Sequence, residues 1–263
     1  MAEIEYSTEG GVAYVRLHRP DKHNGLTLGM LSGLVAAAGR AAGDPSLRAV
    51  IVHGDGPSFC SGLDFGDVAE QGVRVGNAFL PNPFRGTNRF QAAAWAWRRV
   101  PVPVIAVIHG RCFGGGLQIA LGADFRFATP DAEFSVLETK YGLIPDMSAT
   151  ASLAQLTSID TAKLLTMTGE VFDAERARSL GLLTGVADDP MASAHDLVET
   201  IATRSPDAVA SAKRLFERTW HRGPRRSFGV ERLAQLRLLT GRNSTIARKA
   251  AATGTQPEFR PRA

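Results

Sequence analysis

The feature that most constrains this chain is an apolar strand followed by a helix that begins with three glycines. Residues 102–108 are apolar and rich in Val and Ile, and Gly114 to Gly116 then open an Ala- and Leu-rich segment. Unpaired backbone N–H groups at the positive end of such a helix stabilise negative charge. Two carboxylates, Glu138 and Asp146, follow in apolar surroundings. The pattern indicates an oxyanion site with acid–base groups nearby.

The first half of the chain alternates between strand-like and helix-like periodicity. The predicted elements are strands over 4–8 and 12–17, a helix over Leu28–Gly43, a strand over 49–53, a Trp- and Arg-rich helix over 88–99, a strand over 102–108, the glycine-opened helix and a strand over 125–128. Repetition of strand, helix and strand predicts an α/β fold in which parallel strands carry outer helices.

Two regions depart from this alternation. From residue 148 onward the chain reads as helices only, including one that begins at Pro206 and one around Val230 and Leu233. Over 66–87 Gly, Asn and Pro are frequent and no periodicity is visible, so we expect a flexible loop or lid there.

Composition limits the possible functions. The 263 residues are 44% hydrophobic, and the apolar runs are too short to cross a bilayer or to form a signal peptide, so we expect a cytoplasmic protein without a membrane partner. The cysteines, Cys60 and Cys112, form no Cys-x-x-Cys pair, and the histidines have no metal-ligand spacing. We therefore expect packed thiols and no metal site.

Positive charge is concentrated at the C-terminal end. Residues 201–263 carry 14 Lys and Arg against 4 Asp and Glu, which gives +10, whereas residues 1–200 carry 16 against 22, which gives −6. The basic residues either form a solvated helical face with inter-subunit salt bridges or contact phosphates. No nucleic-acid-binding motif accompanies them, and a phosphorylated small molecule fits at least as well.

A second glycine-containing loop, residues 54–65, follows the strand over 49–53. One interpretation is a tight turn between a strand and a helix. The other is functional, because Gly62 after Ser61 allows the N–H of Leu63 to approach a ligand closely. Two N–H groups from two such loops would make an oxyanion hole.

Several segments together resemble the crotonase (enoyl-CoA hydratase/isomerase) family over nearly the full length. They are Phe-Cys-Ser-Gly-Leu-Asp-Phe at 59–65, Pro-Val-Ile-Ala-Val-Ile-His-Gly at 103–110, Gly-Gly-Gly-Leu-Gln at 114–118, the Glu138 segment, Arg-Pro-Asp-Lys-His-Asn-Gly-Leu at 19–26 and Pro-Glu-Phe-Arg-Pro-Arg at 257–262. The resemblance implies a crotonase-type spiral of repeated ββα units over 1–200 and a C-terminal helical region over 201–263 for trimerisation and CoA contact.

The resemblance also implies the ligand and the assembly. The substrate would be a coenzyme A thioester, no cofactor would be bound permanently, and the protein would be a homotrimer or a hexamer. The oxyanion donors would be the backbone N–H groups of Leu63 and Gly115. The residues implied to contact acyl-CoA are Lys22, Leu26, Ser61, Gly62, Leu63, Asp64, Phe65 and Gly115.

The acid–base residues depart from the family's hydratases, which use two glutamates to activate one water. Gln118 occupies the first glutamate position and Glu138 the second, and a glutamine has no proton to exchange near neutral pH. The segment from Glu138 to Asp146 instead resembles the family's dienoyl-CoA isomerases, although those usually carry an acid where this chain has Gln118. We therefore predict an isomerase in which Glu138 and Asp146 transfer protons and Gln118 orients polar groups.

Alternatives remain open at each level. The protein could be a hydratase in which Asp146 replaces the missing acid, or a non-catalytic acyl-CoA-binding trimer. Glu138 could pair with Lys140 on the surface, and Asp146 could cap a helix that starts near Ser148. The segment over 66–87 and the aromatic residues after it, Phe90, Trp95 and Trp97, are predicted to form the acyl pocket, unless the tryptophans pack in the core.

Overall fold

A computed structural model describes residues 2–263, without the side chains of residues 69 and 70. Its strands are β1 (Ile4–Glu9), β2 (Val12–Leu17), β3 (Ala49–Gly54), β4 (Val104–Ile108), β5 (Arg111–Phe113), β6 (Phe125–Ala128), β7 (Glu133–Ser135), β8 (Phe172–Asp173) and β9 (Gly185–Val186). Its α-helices are α1 (Leu28–Gly43), α2 (Phe65–Glu70), α3 (Gly72–Phe79), α4 (Arg89–Trp95), α5 (Gly115–Leu121), α6 (Ala149–Leu156), α7 (Ile159–Thr168), α8 (Ala174–Ser179), α9 (Pro190–Ala202), α10 (Pro206–Thr219), α11 (Pro224–Leu239) and α12 (Arg242–Thr253). Short 3₁₀-helices cover Pro20–Lys22, Ala96–Arg99 and Glu138–Tyr141.

Six strands form the larger of two sheets, in the order β1-β2-β3-β4-β6-β9. The hairpin of β1 and β2 is antiparallel, and the later pairs in this sheet are parallel. The smaller sheet has the order β5-β7-β8. The predicted α/β fold with parallel strands is confirmed. Parallel alignment brings the loops that follow β3 and β4 to the same edge of the sheet, where ligands bind in folds of this class.

Helices cover both faces of the larger sheet. On one face α1, α4 and α5 enclose the main core, which includes Leu31 and Leu34 of α1. Helix α1 begins where predicted because the Thr27 hydroxyl accepts a hydrogen bond of 2.9 Å from the N–H of Met30. On the other face Ala194 of α9 belongs to a second apolar cluster. Burial on both faces accounts for the continuous apolar runs in the central strands.

Of the flexible loop or lid expected over 66–87, the loop was wrong for much of the segment, because α2 and α3 lie there. The Asp64 side chain caps α2 by accepting a hydrogen bond from the N–H of Asp67. The Phe79 ring at the end of α3 lies 4.8 Å from the Phe90 ring, centroid to centroid, and this contact joins α3 to α4. Helices of six and eight residues are too short to show a clear period in the sequence.

The prediction of helices only after residue 148 was also incomplete. Strand β9 extends the larger sheet in parallel with β6, and β8 extends the smaller sheet antiparallel to β7. Each has only two residues, too few for a detectable alternation. The helices expected from Pro206 and around Val230 and Leu233 are present as α10 and α11. The helix expected over 88–99 ends as a 3₁₀-helix.

A buried cluster of charges attaches α10 to the core. The ammonium group of Lys213 lies 2.6 Å from a carboxylate oxygen of Asp124 and donates hydrogen bonds of 3.0 Å to the carbonyl groups of Trp97 and Val102. The same Asp124 oxygen accepts a hydrogen bond from the N–H of Val104, at the start of β4. One ion pair thus joins a C-terminal helix to the strand that leads into the glycine-opened helix.

Helices α10 and α11, with the residue that follows α10, expose several large apolar side chains. They are Phe216, Trp220, Phe228, Leu233, Leu236 and Leu239, each about half exposed or more. The boundary expected at residue 200 falls in the last turn of α9. Among the helices of residues 2–263, none combines the length and hydropathy that a membrane span requires.

Candidate active site

A cavity of about 540 Å³ lies at the sheet edge where the loops after β3 and β4 meet. The first loop contributes Ser61, Gly62, Leu63 and Phe65 to its lining, the start of α5 contributes Gly114 and Gly115, and the following acidic segment contributes Glu138, Asp146 and Met147. Residues separated by more than eighty positions in the sequence therefore line one space. Its size lies in the usual range for small-molecule sites.

The two predicted oxyanion donors, Leu63 and Gly115, both line this cavity. Neighbouring backbone groups form the bonds of their loop: Leu26 donates to the carbonyl of Gly62 at 2.8 Å, and Asp64 donates to the carbonyl of Leu26 at 3.0 Å. Within residues 2–263, neither the N–H of Leu63 nor that of Gly115 donates a hydrogen bond to the protein. Both are available to a ligand oxygen.

Glycine is required where these two loops approach each other. Gly62 has φ of +99°, and a Cβ added there would lie 3.1 Å from the carbonyl oxygen of Phe113 and 3.7 Å from the nitrogen of Gly115. Gly114 has φ of +50°, and its N–H donates to the carbonyl of Ser135 at 2.9 Å. This geometry leaves the first N–H of α5 free at the positive end of the helix.

Glu138 begins the 3₁₀-helix at Glu138–Tyr141, and its carboxyl group points into the site. Its Oε1 accepts a hydrogen bond of 2.6 Å from the side-chain amide of Gln118. Its Oε2 is buried and has no hydrogen-bond partner among the described residues. Burial raises the pKa of the Glu138 carboxyl, and the charge of Asp146 raises it further. A pairing with Lys140, considered above, is absent from the ion pairs of residues 2–263.

Asp146 lines the same cavity and is partly buried. Burial raises its pKa above the ordinary value for an aspartate. The cap position of α6 is occupied by Ser148, and no side chain donates or accepts a capping bond there. The interpretation of Asp146 as a helix cap is therefore wrong, because the chain turns through a positive φ of 74° at Ser148 before α6 begins.

Gln118 is 2% exposed and lies behind the cavity wall. Its amide oxygen accepts hydrogen bonds from the backbone N–H groups of Met147, at 2.7 Å, and of Ala149, at 3.2 Å. Only an oxygen can accept two N–H groups, so these contacts fix the orientation of the amide and direct its NH₂ toward Glu138. Gln118 therefore contacts Glu138 at the start of the acidic segment and the backbone that follows Asp146 at its end.

Three residues expected to contact acyl-CoA lie outside the cavity lining. Lys22 is exposed at the end of the 3₁₀-helix Pro20–Lys22, and Leu26 is fully buried. The carboxylate of Asp64 is engaged by the guanidinium of Arg19 at 3.1 Å and by the α2 cap. The ring of Phe65 lines the cavity and lies 5.0 Å, centroid to centroid, from the ring of Tyr141, which also lines it.

The apolar wall of the cavity was only partly predicted. Phe90 lines it as expected, whereas Trp97 is 1% exposed in the core and Trp95 stacks on the Arg98 guanidinium at 4.8 Å. The segment 66–87 contributes to the wall as predicted, through Val68, Val75 and Phe79. The wall also includes residues that were not predicted to line it, namely Leu137, Tyr141, Leu143, Ile144 and Met147. Apolar residues in short helices and turns gave no signal that would distinguish a pocket wall from a core.

The two cysteines are buried and free, as expected. They are joined by an isolated parallel bridge between their backbones. Burial raises the pKa of the Cys60 thiol to about 12 and that of Cys112 well above its usual value. Neither thiol is a nucleophile near neutral pH. Within residues 2–263 there is no cluster of His, Cys, Asp and Glu side chains that could hold a metal ion.

Comparison with known proteins agrees with this geometry. Residues 7–239 match the family described as Enoyl-CoA hydratase/isomerase. The probable enoyl-CoA hydratase EchA14 of Mycobacterium tuberculosis is 36% identical to this chain, over 79% of this chain and 78% of its own length. The mitochondrial Delta(3,5)-Delta(2,4)-dienoyl-CoA isomerase of Dictyostelium discoideum is 29% identical, over 80% of this chain and 74% of its own.

A solved structure extends the similarity to the whole fold. The enoyl-CoA hydratase from Bacillus anthracis superimposes with a TM-score of 0.89 at 26% identity, and the match covers 98% of each chain. The predicted crotonase-type architecture is thereby confirmed, including the presence of the C-terminal helices. Since the family match spans most of the chain and includes both glycine loops and the acidic segment, the chain belongs to the enoyl-CoA hydratase/isomerase, or crotonase, family.

Proposed function

We propose that this protein shifts a double bond of an enoyl-CoA or dienoyl-CoA thioester. The observation that carries the proposal is the placement of two carboxyl groups, Glu138 and Asp146, on one cavity beside the unpaired N–H groups of Leu63 and Gly115. Moving a double bond requires removal of a proton from one carbon and delivery of a proton to another. Two acid–base groups with separate positions on one cavity suit this chemistry.

The thioester oxygen would accept hydrogen bonds from the N–H groups of Leu63 and Gly115. As one carboxylate removes a proton from carbon, the electron pair moves onto this oxygen and forms an enolate. The second carboxyl group then returns a proton further along the chain, and the electron pair moves back to complete the shifted double bond. Each N–H donor of such a site contributes about 2.7–4 kcal/mol to the stability of the transition state.

The raised pKa values of Glu138 and Asp146 support this division of roles. Burial raises both pKa values, and the charge of Asp146 raises the pKa of Glu138 further. A carboxyl group with a raised pKa exchanges its proton closer to neutral pH than an ordinary carboxyl group does, which suits general acid–base catalysis.

Hydration of a trans-2-enoyl-CoA is the second candidate. It is favoured by the name of the Mycobacterium tuberculosis relative, a probable enoyl-CoA hydratase. In that case Asp146 would supply the acid that Gln118 lacks. The direct 2.6 Å contact between Gln118 and Glu138 leaves no room for a water between these two side chains, so the reacting water would have to be held by Glu138 and Asp146.

The two candidates predict different products. Incubation with a 3,5-dienoyl-CoA should give the absorbance of a 2,4-dienoyl-CoA, whereas hydration of a trans-2-enoyl-CoA would remove the absorbance of its conjugated double bond. We expect the first reaction to be the faster. Hydration without isomerisation would favour the second candidate, and inactivity in both assays would contradict both and indicate an acyl-CoA-binding protein.

Replacement of Asp146 by asparagine should lower the rate of double-bond isomerisation about 100-fold, because general acid–base groups commonly contribute about 10²–10⁴-fold. The measurement is kcat with the dienoyl-CoA substrate. Asp188→Asn is the matched control, since Asp188 is exposed and far along the chain from the acidic segment. Equal activity of the two variants would remove Asp146 from the mechanism.

We also propose that the protein forms a homotrimer or a hexamer, through the helical region over 201–263, and that it works in the cytoplasm. The exposed apolar residues of α10 and α11 support the assembly, since an apolar surface of this extent is typical of an interface. Sedimentation equilibrium should give three or six times the chain mass of 28.1 kDa. A monomer at micromolar concentration would contradict the proposal.

A further inference from the structure

One amide side chain connects the two carboxyl groups of the site. The oxygen of Gln118 accepts from the N–H of Met147, the residue that follows Asp146, and from the N–H of Ala149. The nitrogen of the same amide donates to Glu138. Gln118 lies on α5, the helix that begins with the oxyanion donor Gly115. The position of each carboxyl group relative to that donor therefore depends on one side chain.

Gln118 does not contact the substrate space itself. It is 2% exposed and is absent from the residues that line the cavity. Its effect on a reaction must therefore act through Glu138 and through the backbone beside Asp146. A residue of this kind changes the rate of the chemical step while leaving the binding of substrate intact.

We propose that Gln118 is a positioning residue that fixes where Glu138 and Asp146 lie relative to the oxyanion donors. This role requires an amide at position 118, where a hydratase has its second carboxylate. The inference rests on the proposed function, which assigns proton transfer to these two carboxyl groups. The amide is suited to the task because it is a donor at one end and an acceptor at the other, without charge.

A glutamate at position 118 could accept hydrogen bonds but could not, when ionised, donate one to Glu138. One of its oxygens could still accept from the N–H groups of Met147 and Ala149, so the fold would be retained. The other would lie close to Glu138 Oε1, where the amide nitrogen now lies at 2.6 Å. Two carboxylates at this separation cannot both ionise, and they share one proton.

The electrostatics of Glu138 agree with this geometry. Burial and the charge of Asp146 raise its pKa, and the hydrogen bond from Gln118 lowers it. Among the described residues, Gln118 and Asp146 are therefore the two side chains that shift the pKa of Glu138. With Gln118→Glu the lowering contact is lost and a second acid is added, so the second of the two ionisations of the pair must move to higher pH.

The test is the pH dependence of Gln118→Glu and Gln118→Met. For Gln118→Glu we expect the acidic limb of kcat/KM for isomerisation to move upward by more than one pH unit. We expect kcat at pH 7 to fall at least tenfold in both variants, with KM within twofold of the parent. Gln91→Glu is the matched control, because the side chain of Gln91 accepts a capping bond from the N–H of Asn88 and a glutamate can do the same.

A second measurement does not depend on turnover. ¹³C NMR of glutamate labelled at the carboxyl carbon gives the titration of Glu138 in the free protein, with its signal identified by its absence from Glu138→Gln. We expect an upward shift in Gln118→Met and a coupled two-step titration in Gln118→Glu. Absence of isomerisation in the parent would contradict the proposed function, whereas an unchanged Glu138 titration in both variants would overturn the role of Gln118.

Discussion

Glu138→Gln is expected to lower kcat for double-bond isomerisation by about 10³-fold, within the range of about 10²–10⁴ that acid–base groups supply. The glutamine oxygen can still accept the hydrogen bond from Gln118, so the local structure is retained. What is lost is the ionisable carboxyl group, whose Oε2 is buried and has no hydrogen-bond partner among the described residues. The measurement is single-turnover kinetics with a dienoyl-CoA, compared with Glu133→Gln, a variant of an exposed glutamate on β7.

Stability should change in the opposite direction to activity. The pKa of Glu138 is raised in the folded protein, so at neutral pH its ionisation opposes folding. Glu138→Gln should therefore melt at or above the temperature of the parent at pH 7. The difference should disappear as the pH falls below the ordinary pKa of a glutamate, because the folded and unfolded chains then both carry the proton. A variant that melts lower at pH 7, or that keeps parental turnover, would contradict the assignment.

Lys213→Met is expected to lower the free energy of unfolding by about 3–5 kcal/mol, which is typical when one partner of a buried ion pair is removed. The side chains of Lys213 and Asp124 are only 8% and 18% exposed. The substitution leaves the Asp124 charge without its cation and the carbonyl groups of Trp97 and Val102 without their donor. Chemical denaturation followed by circular dichroism measures the change.

A double-mutant cycle separates the ion pair from the rest of this effect. Lys213→Met with Asp124→Asn should lose less than the sum of the two single variants, because the uncompensated charge is gone. Lys249→Met is the control, since Lys249 is exposed on α12 and surface substitutions usually change stability by less than about 0.5 kcal/mol. Additive losses in the cycle would mean that the pair is not coupled.

Local chemistry made part of the fold readable from the sequence. The bounds of α1 followed from its apolar spacing, and the start of α5 followed from three consecutive glycines. Helices α2 and α3 were not predicted because they are short, and because α3 is held by a contact of Phe79 with Phe90 on another helix. Contacts between distant residues leave no periodic trace in the sequence.

In the site, too, local motifs could be recognised in the sequence, whereas contacts between distant residues could not. Motifs identified Leu63, Gly115, Glu138 and Asp146, and the structure places all four on one cavity. The orientation of Gln118 could not be predicted, because it depends on backbone N–H groups 29 and 31 residues later in the chain. The turn before α6 sets the direction of these N–H groups, and no pattern of residue types in the sequence reveals that direction.

The oxyanion donors and the acid–base groups of the site belong to different parts of the chain, so they can change independently. The groups that would stabilise an enolate are backbone atoms of two separate loops, whereas both carboxyl groups belong to one continuous segment, residues 138–146. Substitutions within that segment can alter where protons are taken and returned without disturbing the backbone that supports the intermediate. Exchange of this segment between relatives is therefore a route to a new reaction on an unchanged scaffold.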